Sequence, residues 1–163
     1  MATAEHETAN GHEAAPRRFA LADGRPPAPL TDPPAERRLV AAVRDFPTLL
    51  ETLPLKPADL SDRTLRALYA AALRLRDRDV PIFPETVAAE AARMLDGDED
   101  RLLLLLRGLP ESPVEIAAGD AERLSELARR RRYRARLQAA LEAIADDGTD
   151  PDDLIAGLAA TAE

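Results

Sequence analysis

The stretch Gly119–Ala145 constrains this chain most. It opens Gly-Asp-Ala-Glu-Arg-Leu-Ser-Glu-Leu-Ala. Six arginines in eight residues follow (Arg129, Arg130, Arg131, Arg132, Arg134 and Arg136), and then Leu-Gln-Ala-Ala-Leu-Glu-Ala-Ile-Ala. Nothing after Gly119 interrupts a helix, and Asp120 is the expected N-cap. At about 1.5 Å per residue such a helix is about 39 Å long, more than a domain of this size needs for its own core. Its apolar pattern changes side. Ala121, Leu124, Leu127, Ala128 and Ala135 share one face, whereas Tyr133, Leu137, Ala140, Leu141 and Ile144 lie about half a turn away. A helix with one stripe serves one core, and a stripe that switches sides serves two. The first half is expected to pack on the preceding domain and the second half on something else. Asp147-Gly148-Thr149-Asp150 then reads as a turn. Pro151 opens a short second helix carrying Leu154, Ile155, Leu158 and Ala159, which makes the C-terminus a helical hairpin with an apolar face for self-association.

Ahead of this hairpin the pattern is helical throughout. Residues 1–30 are rich in Ala, Pro, Glu and Gly without periodicity and read as a disordered tail. Residues 31–118 form a compact head of about six helices, and residues 119–163 form the hairpin. In the head, Thr31-Asp32-Pro33-Pro34 is a helix entry, with Leu39, Val40 and Val43 on the inner face. Phe46–Leu53 reads as a second short helix. Asp59-Leu60-Ser61-Asp62 leads into a third, with Leu65, Leu68, Tyr69, Ala72, Leu73 and Leu75 inward. Pro84 starts the next, and Gly97 ends it. Asp98-Glu99-Asp100 suits the N-terminus of the following helix. The leucines 102–106 in that helix predict burial nearly all round. The fold class is therefore all-α, a compact multi-helix head followed by a long helical hairpin.

Composition closes off most chemistry. The chain is 45% hydrophobic but 3% aromatic, so its core is built from Leu, Ala and Val, which suits helices better than a β-sandwich. It has no cysteine, which excludes disulfides and thiolate metal sites. The two histidines, His6 and His12, lie in the polar tail at the wrong spacing for one helical turn, so no metal site and no cofactor are expected. Asp146-Asp147-Gly148 through Asp153 lacks the ligand spacing and terminal Glu of a calcium loop. No carboxylate pairs with His, Cys or a metal constellation, so no catalytic residue is expected and the chain does not read as an enzyme. No apolar run is long enough to span a membrane, and the acidic N-terminus lacks a secretory apolar core. The expectation is a soluble cytoplasmic protein.

The net charge of −8 disfavours non-specific nucleic-acid binding by the whole chain. The arginine run is the exception. Arg129, Arg130, Arg132, Arg134 and Arg136 are the candidates for a nucleic-acid contact, but consecutive arginines cover all sides of a helix and cannot all meet one groove. For most of them a solvated face paired with Glu122, Glu126 or aspartates is the simpler reading. DNA contact is accordingly expected to be weak. Arg131 lies on the first apolar face and is expected to approach the head or a partner.

The order of elements resembles the N-terminal domain of bacterial replicative DNA helicases of the DnaB family. Pro34-Ala35-Glu36 before Leu39–Val43 is similar to the family's proline, acidic residue and apolar helix. Asp59-Leu60 matches its Asp-apolar step, and Pro81-Ile82-Phe83-Pro84-Glu85-Thr86-Val87 fits most of its Gly-x-Pro-Ile/Val-Asp-x-x-Thr-Val link. Leu102 and Leu105 with Leu109-Pro110 fit the next element. Leu127-Ala128, then Arg136, Leu137, Ala140 and Ile144, fall at the places of the long helix, and Asp150–Ile155 resembles the family's second hairpin helix. Asp79 stands where the family usually has glycine, Phe83 replaces the acidic cap, Arg101 an aromatic, and Ala135 the first arginine of a pair. The resemblance implies a head plus hairpin, with hairpins pairing between subunits in a collar where primase docks. It also implies partners: a second copy of the chain (dimer or higher), a helicase motor, or primase. The family's motor binds ATP through a Gly-rich loop ending in Gly-Lys-Ser/Thr. This chain has no such loop, and its sole lysine, Lys56, follows Leu55. The expected partner interface is Leu124, Leu127, Arg131, Tyr133, Leu137, Leu141, Ile144, Leu154 and Leu158.

Overall fold

The computed structural model describes residues 29–145 of the chain. Most of the expected tail and the second hairpin helix, with Leu154 and Leu158, lie outside the described residues. Five α-helices follow one another: α1 (Pro33–Asp45), α2 (Arg63–Asp77), α3 (Pro84–Leu95), α4 (Glu99–Arg107) and α5 (Val114–Ala145). No strand occurs among the described residues, and no helix there is long and apolar enough to cross a membrane.

Each helix start has a local cause. Asp32 accepts the Ala35 N–H ahead of α1, and Pro33 and Pro34 open the helix where a missing N–H costs nothing. Asp62 accepts from Thr64 and Leu65 at the start of α2, and Asp98 accepts from Arg101 at the start of α4. At α3 the cap comes from the third residue instead. Thr86 Oγ1 accepts the Phe83 N–H at 3.0 Å, which supplies half of a capping box without an acidic residue at position 83.

Two helices end on left-handed aspartates. After α2, the N–H of Val80 donates to Leu75 O and that of Asp79 to Arg76 O, the paired bonds of a Schellman ending, with Asp79 at φ 54°. After α3, the left-handed residue is Asp96 at φ 52°, one position before the Gly97 expected to end it. Glycine is the residue that carries such a φ without steric cost, so Asp79→Gly is expected to raise the unfolding free energy by about 0.5–1 kcal/mol. Urea denaturation followed by circular dichroism measures this, and a loss of stability would show that the Asp79 side chain has a compensating role.

The core runs through all five helices. Leu39, Leu60, Leu68, Tyr69, Leu106 and Leu124 are among its largest fully buried side chains. The α2 helix packs on α3, α3 on α4, and α1 on α5. The inward faces expected for α1 and α2 are the observed ones, apart from Leu73, which is half-buried. Two expectations give way. Phe46–Leu53 forms only a single 3-10 turn at Pro47–Glu51, because Pro47 and Pro54 leave too few residues for a stable α-helix. The leucines of α4 are not buried all round: Leu102 and Leu106 face the core, whereas Leu104 is 71% exposed and Leu105 is also on the surface. A nine-residue helix packed on α3 turns only one face inward, and residues four apart share that face.

Buried polar groups hold the head together. Glu36, fully buried in the first turn of α1, accepts from Ser61 N at 2.8 Å, Ser61 Oγ at 2.5 Å and Asp62 N at 2.9 Å. It ties α1 to the approach to α2. Arg44 donates through Nη1 to the carbonyls of Leu106 (2.7 Å) and Leu109 (2.9 Å), satisfying the C-terminal end of α4.

Candidate functional site

The long helix α5 begins at Val114, five residues before the expected start. Gly119 and Asp120 lie inside it. An added Cβ at Gly119 would meet nothing within 4 Å, so the glycine is neither a turn nor a close approach, and it was misleading as a start signal. Asp120 is not an N-cap. Its carboxylate takes a bidentate pair from Arg38 of α1, Nε at 2.9 Å and Nη2 at 2.8 Å, and it pins α5 to α1. At about 1.5 Å per residue the helix is about 48 Å long.

Its two halves meet different surroundings. Ala117, Ala121, Leu124 and Ala128 recur at helical spacing and are buried against the head. Residues 132–139 are all exposed. On the far side of the distal half, Tyr133 (43% exposed), Leu137 (56%) and Leu141 (51%) form a stripe at every fourth residue. At about 100° per residue this stripe lies about half a turn from the buried one. Averaged over its whole length α5 has almost no amphipathic direction, as a stripe that changes sides requires. Ala140 is the buried member of the distal apolar set.

The arginine run sits at the changeover, and most of it is engaged within the chain. Arg129 and Arg130 both pair with Glu126, one turn earlier, and the Arg129 hydrogen bond is the main reason that the Glu126 carboxyl is held below the usual Glu value. Arg131 donates to Leu30 O at 2.6 Å and to Asp59 O at 2.5 Å. Arg132 reaches Asp59 Oδ1 at 2.9 Å. Asp59 is buried, and its other carboxylate oxygen accepts the Lys56 N–H at 3.0 Å, so the short turn Pro57–Asp59 is the seat on which the helix rests before it runs outward. Arg134 and Arg136 are exposed.

These positions sort the expected interface residues. Leu124 belongs to the head core at 0% exposure, and the Arg131 guanidinium is bound by the carbonyls of Leu30 and Asp59, so neither offers a free surface to a partner. Leu127 is half-buried. Tyr133, Leu137 and Leu141 are brought together on one open face. The side chain of Ile144, like Leu154 and Leu158, lies outside what the structure describes. Sequence reasoning missed Asp59 and Asp120 as the acids that seat α5. The pairs Arg38–Asp120 and Arg132–Asp59 span 82 and 73 residues, beyond the reach of any local spacing rule. Among the described residues no group of His, Cys, Asp or Glu side chains could hold a metal ion.

Comparison with solved structures finds the same fold in the N-terminal domain of DnaB helicase from Mycobacterium tuberculosis. The TM-score is 0.67 at 23% sequence identity, over 81% of this chain and 96% of that one. No family model matches the sequence, and no curated protein does. The helical head and long α5 thus share the fold of that domain.

Proposed function

We propose that this chain is a non-catalytic oligomerisation and docking module associated with DNA replication, which self-associates through the distal half of α5 and presents the assembled surface to a replicative helicase motor or primase. The observation that carries the reading is the stripe Tyr133, Leu137 and Leu141. Three large apolar side chains are held in solvent on one face of a helix that has already finished packing on its own head. Helix length beyond the needs of a core, with a fresh apolar face on the extension, is the signature of a second packing partner. The fold shared with a DnaB helicase N-terminal domain supports a setting in replication.

Nucleic-acid binding by the arginine run is the weaker reading. Arg131 and Arg132 are turned onto Leu30 and Asp59, and Arg129 and Arg130 share Glu126, so the run does not line up as a basic stripe along one groove. Multi-angle light scattering on the purified chain tests the proposal. A mass of two chains or more across the micromolar range is expected, and a folded monomer at every concentration would remove the self-association.

A further inference from the structure

We propose that the arginine cluster where α2 meets α3 is a binding site for a dianionic phosphate monoester, as carried by a phosphoserine or phosphothreonine of a partner protein. Glu90 of α3 is its centre. The Glu90 side chain is 8% exposed, and three guanidiniums converge on it: Arg78 Nη2 at 3.0 Å and Arg93 Nη1 at 3.1 Å from Oε2, and Arg74 Nη1 at 3.9 Å from Oε1. One carboxylate is neutralised by one cation. Three gathered around it leave a local surplus of positive charge in a chain whose net charge is −8. Of the acids beside Arg78 in sequence, Asp77 is taken by Arg76, and Asp79 makes no ion pair among the described residues. Counting Asp79 against the cluster still leaves it positive.

The arginines are placed to bind something more. Each guanidinium carries five N–H donors. Beyond Glu90, the one further side-chain bond in the cluster among the described residues is Arg78 Nε to Arg74 O at 3.2 Å. All three arginine side chains are more than half exposed, so most of their donors face solvent. Glu90 thus acts as a buried post that holds three like charges together.

The shape of the charge selects the ligand. A nucleic-acid strand offers singly charged phosphates in a line and is met by stripes of basic residues. Here the guanidiniums reach the two oxygens of a single carboxylate, so the positive charge is gathered at one point. A phosphate monoester places about −1.5 to −2 charges and three acceptor oxygens on one group, the match for several converging arginine forks. The assignment does not depend on how α5 assembles.

The test is fluorescence anisotropy with labelled Gly-Ala-Xaa-Ala-Gly peptides in which Xaa is phosphoserine, serine or aspartate, competed by inorganic phosphate. The phosphoserine peptide is expected to bind at least about tenfold more tightly than the aspartate peptide. The double substitution Arg74→Gln, Arg78→Gln is expected to remove at least about tenfold of that affinity, and Arg129→Gln, Arg130→Gln to leave it unchanged. If the first double variant fails to show a wild-type circular dichroism melt, Arg93→Gln alone is expected to weaken binding in the same direction. No saturable binding, equal binding of the aspartate peptide, or equal losses in the two arginine pairs would overturn the site. Inorganic phosphate that competes at concentrations equal to the peptide would overturn its assignment to a protein-borne phosphate.

Discussion

Replacing Glu36 with alanine is expected to lower the unfolding free energy by about 3 kcal/mol, a loss large enough to threaten a domain of ordinary stability. The carboxylate is fully buried and accepts three hydrogen bonds from Ser61 and Asp62. Hydrogen bonds to a charged acceptor contribute about 1.5–3 kcal/mol, and donors left without an acceptor add their desolvation cost. The position explains how a carboxylate can be buried among apolar helices. It sits in the first turn of α1 and faces the N–H groups that lead into α2, so two helix starts present their positive ends to it. Asp62 then caps α2 through Thr64 and Leu65, and losing Glu36 loosens that cap as well. Glu36→Gln keeps the shape but turns an amide donor toward an N–H donor, so a smaller loss of about 1–2 kcal/mol is expected. Urea denaturation of the three proteins measures both values. An alanine variant within about 0.5 kcal/mol of wild type would show that Glu36 does not hold α1 to α2.

The largest effect on assembly is expected from Leu137→Glu combined with Leu141→Glu. Burying a leucine side chain contributes about 1.5–3 kcal/mol, so losing two from an interface weakens association by at least roughly a hundredfold. Forcing two carboxylates into the same contact weakens it further. Because both leucines are more than half exposed on their own chain, the thermal melt of the head is expected to stay where it is when the two proteins are compared at concentrations low enough to keep both monomeric. The contrast is Leu124→Glu, which places a charge in the head core and is expected to unfold it. Sedimentation velocity over a concentration series reads the change in association. A double variant that assembles like wild type would place the interface elsewhere.

What the sequence could show, and what it could not, follows the range of the interactions. The side change on α5 was legible because helical periodicity is local: residues three and four apart declare their face without reference to anything else. The inward faces of α1 and α2 were legible for the same reason. The start of α5 was not, because Gly119-Asp120 imitates a helix entry and the true role of Asp120 is set by Arg38, on another helix. The leucine run of α4 misled in the opposite way. Five adjacent leucines erase the periodic signal, and only the packing on α3 decides that Leu102 and Leu106 go in while Leu104 stays out. The departures from the family pattern also have local causes. Asp79 occupies the left-handed position at which glycine is usual, and Thr86 supplies the cap that an acidic residue 83 would otherwise supply.

Self-association as proposed brings two chains together along the distal half of α5. The sequence has no cysteine, so a single introduced thiol is a unique label site. Ala139 is exposed on the side of α5 opposite the stripe, so a label there leaves the apolar contact intact, and Leu104 is exposed on the head. Pulsed dipolar spectroscopy on spin-labelled Ala139→Cys is the direct measurement, with Leu104→Cys as the reference. A resolved inter-chain distance is expected at position 139, and it is expected to disappear when Leu137 and Leu141 are both glutamate. An absent inter-chain signal at 139, or one that survives those two substitutions, would contradict the proposed self-association.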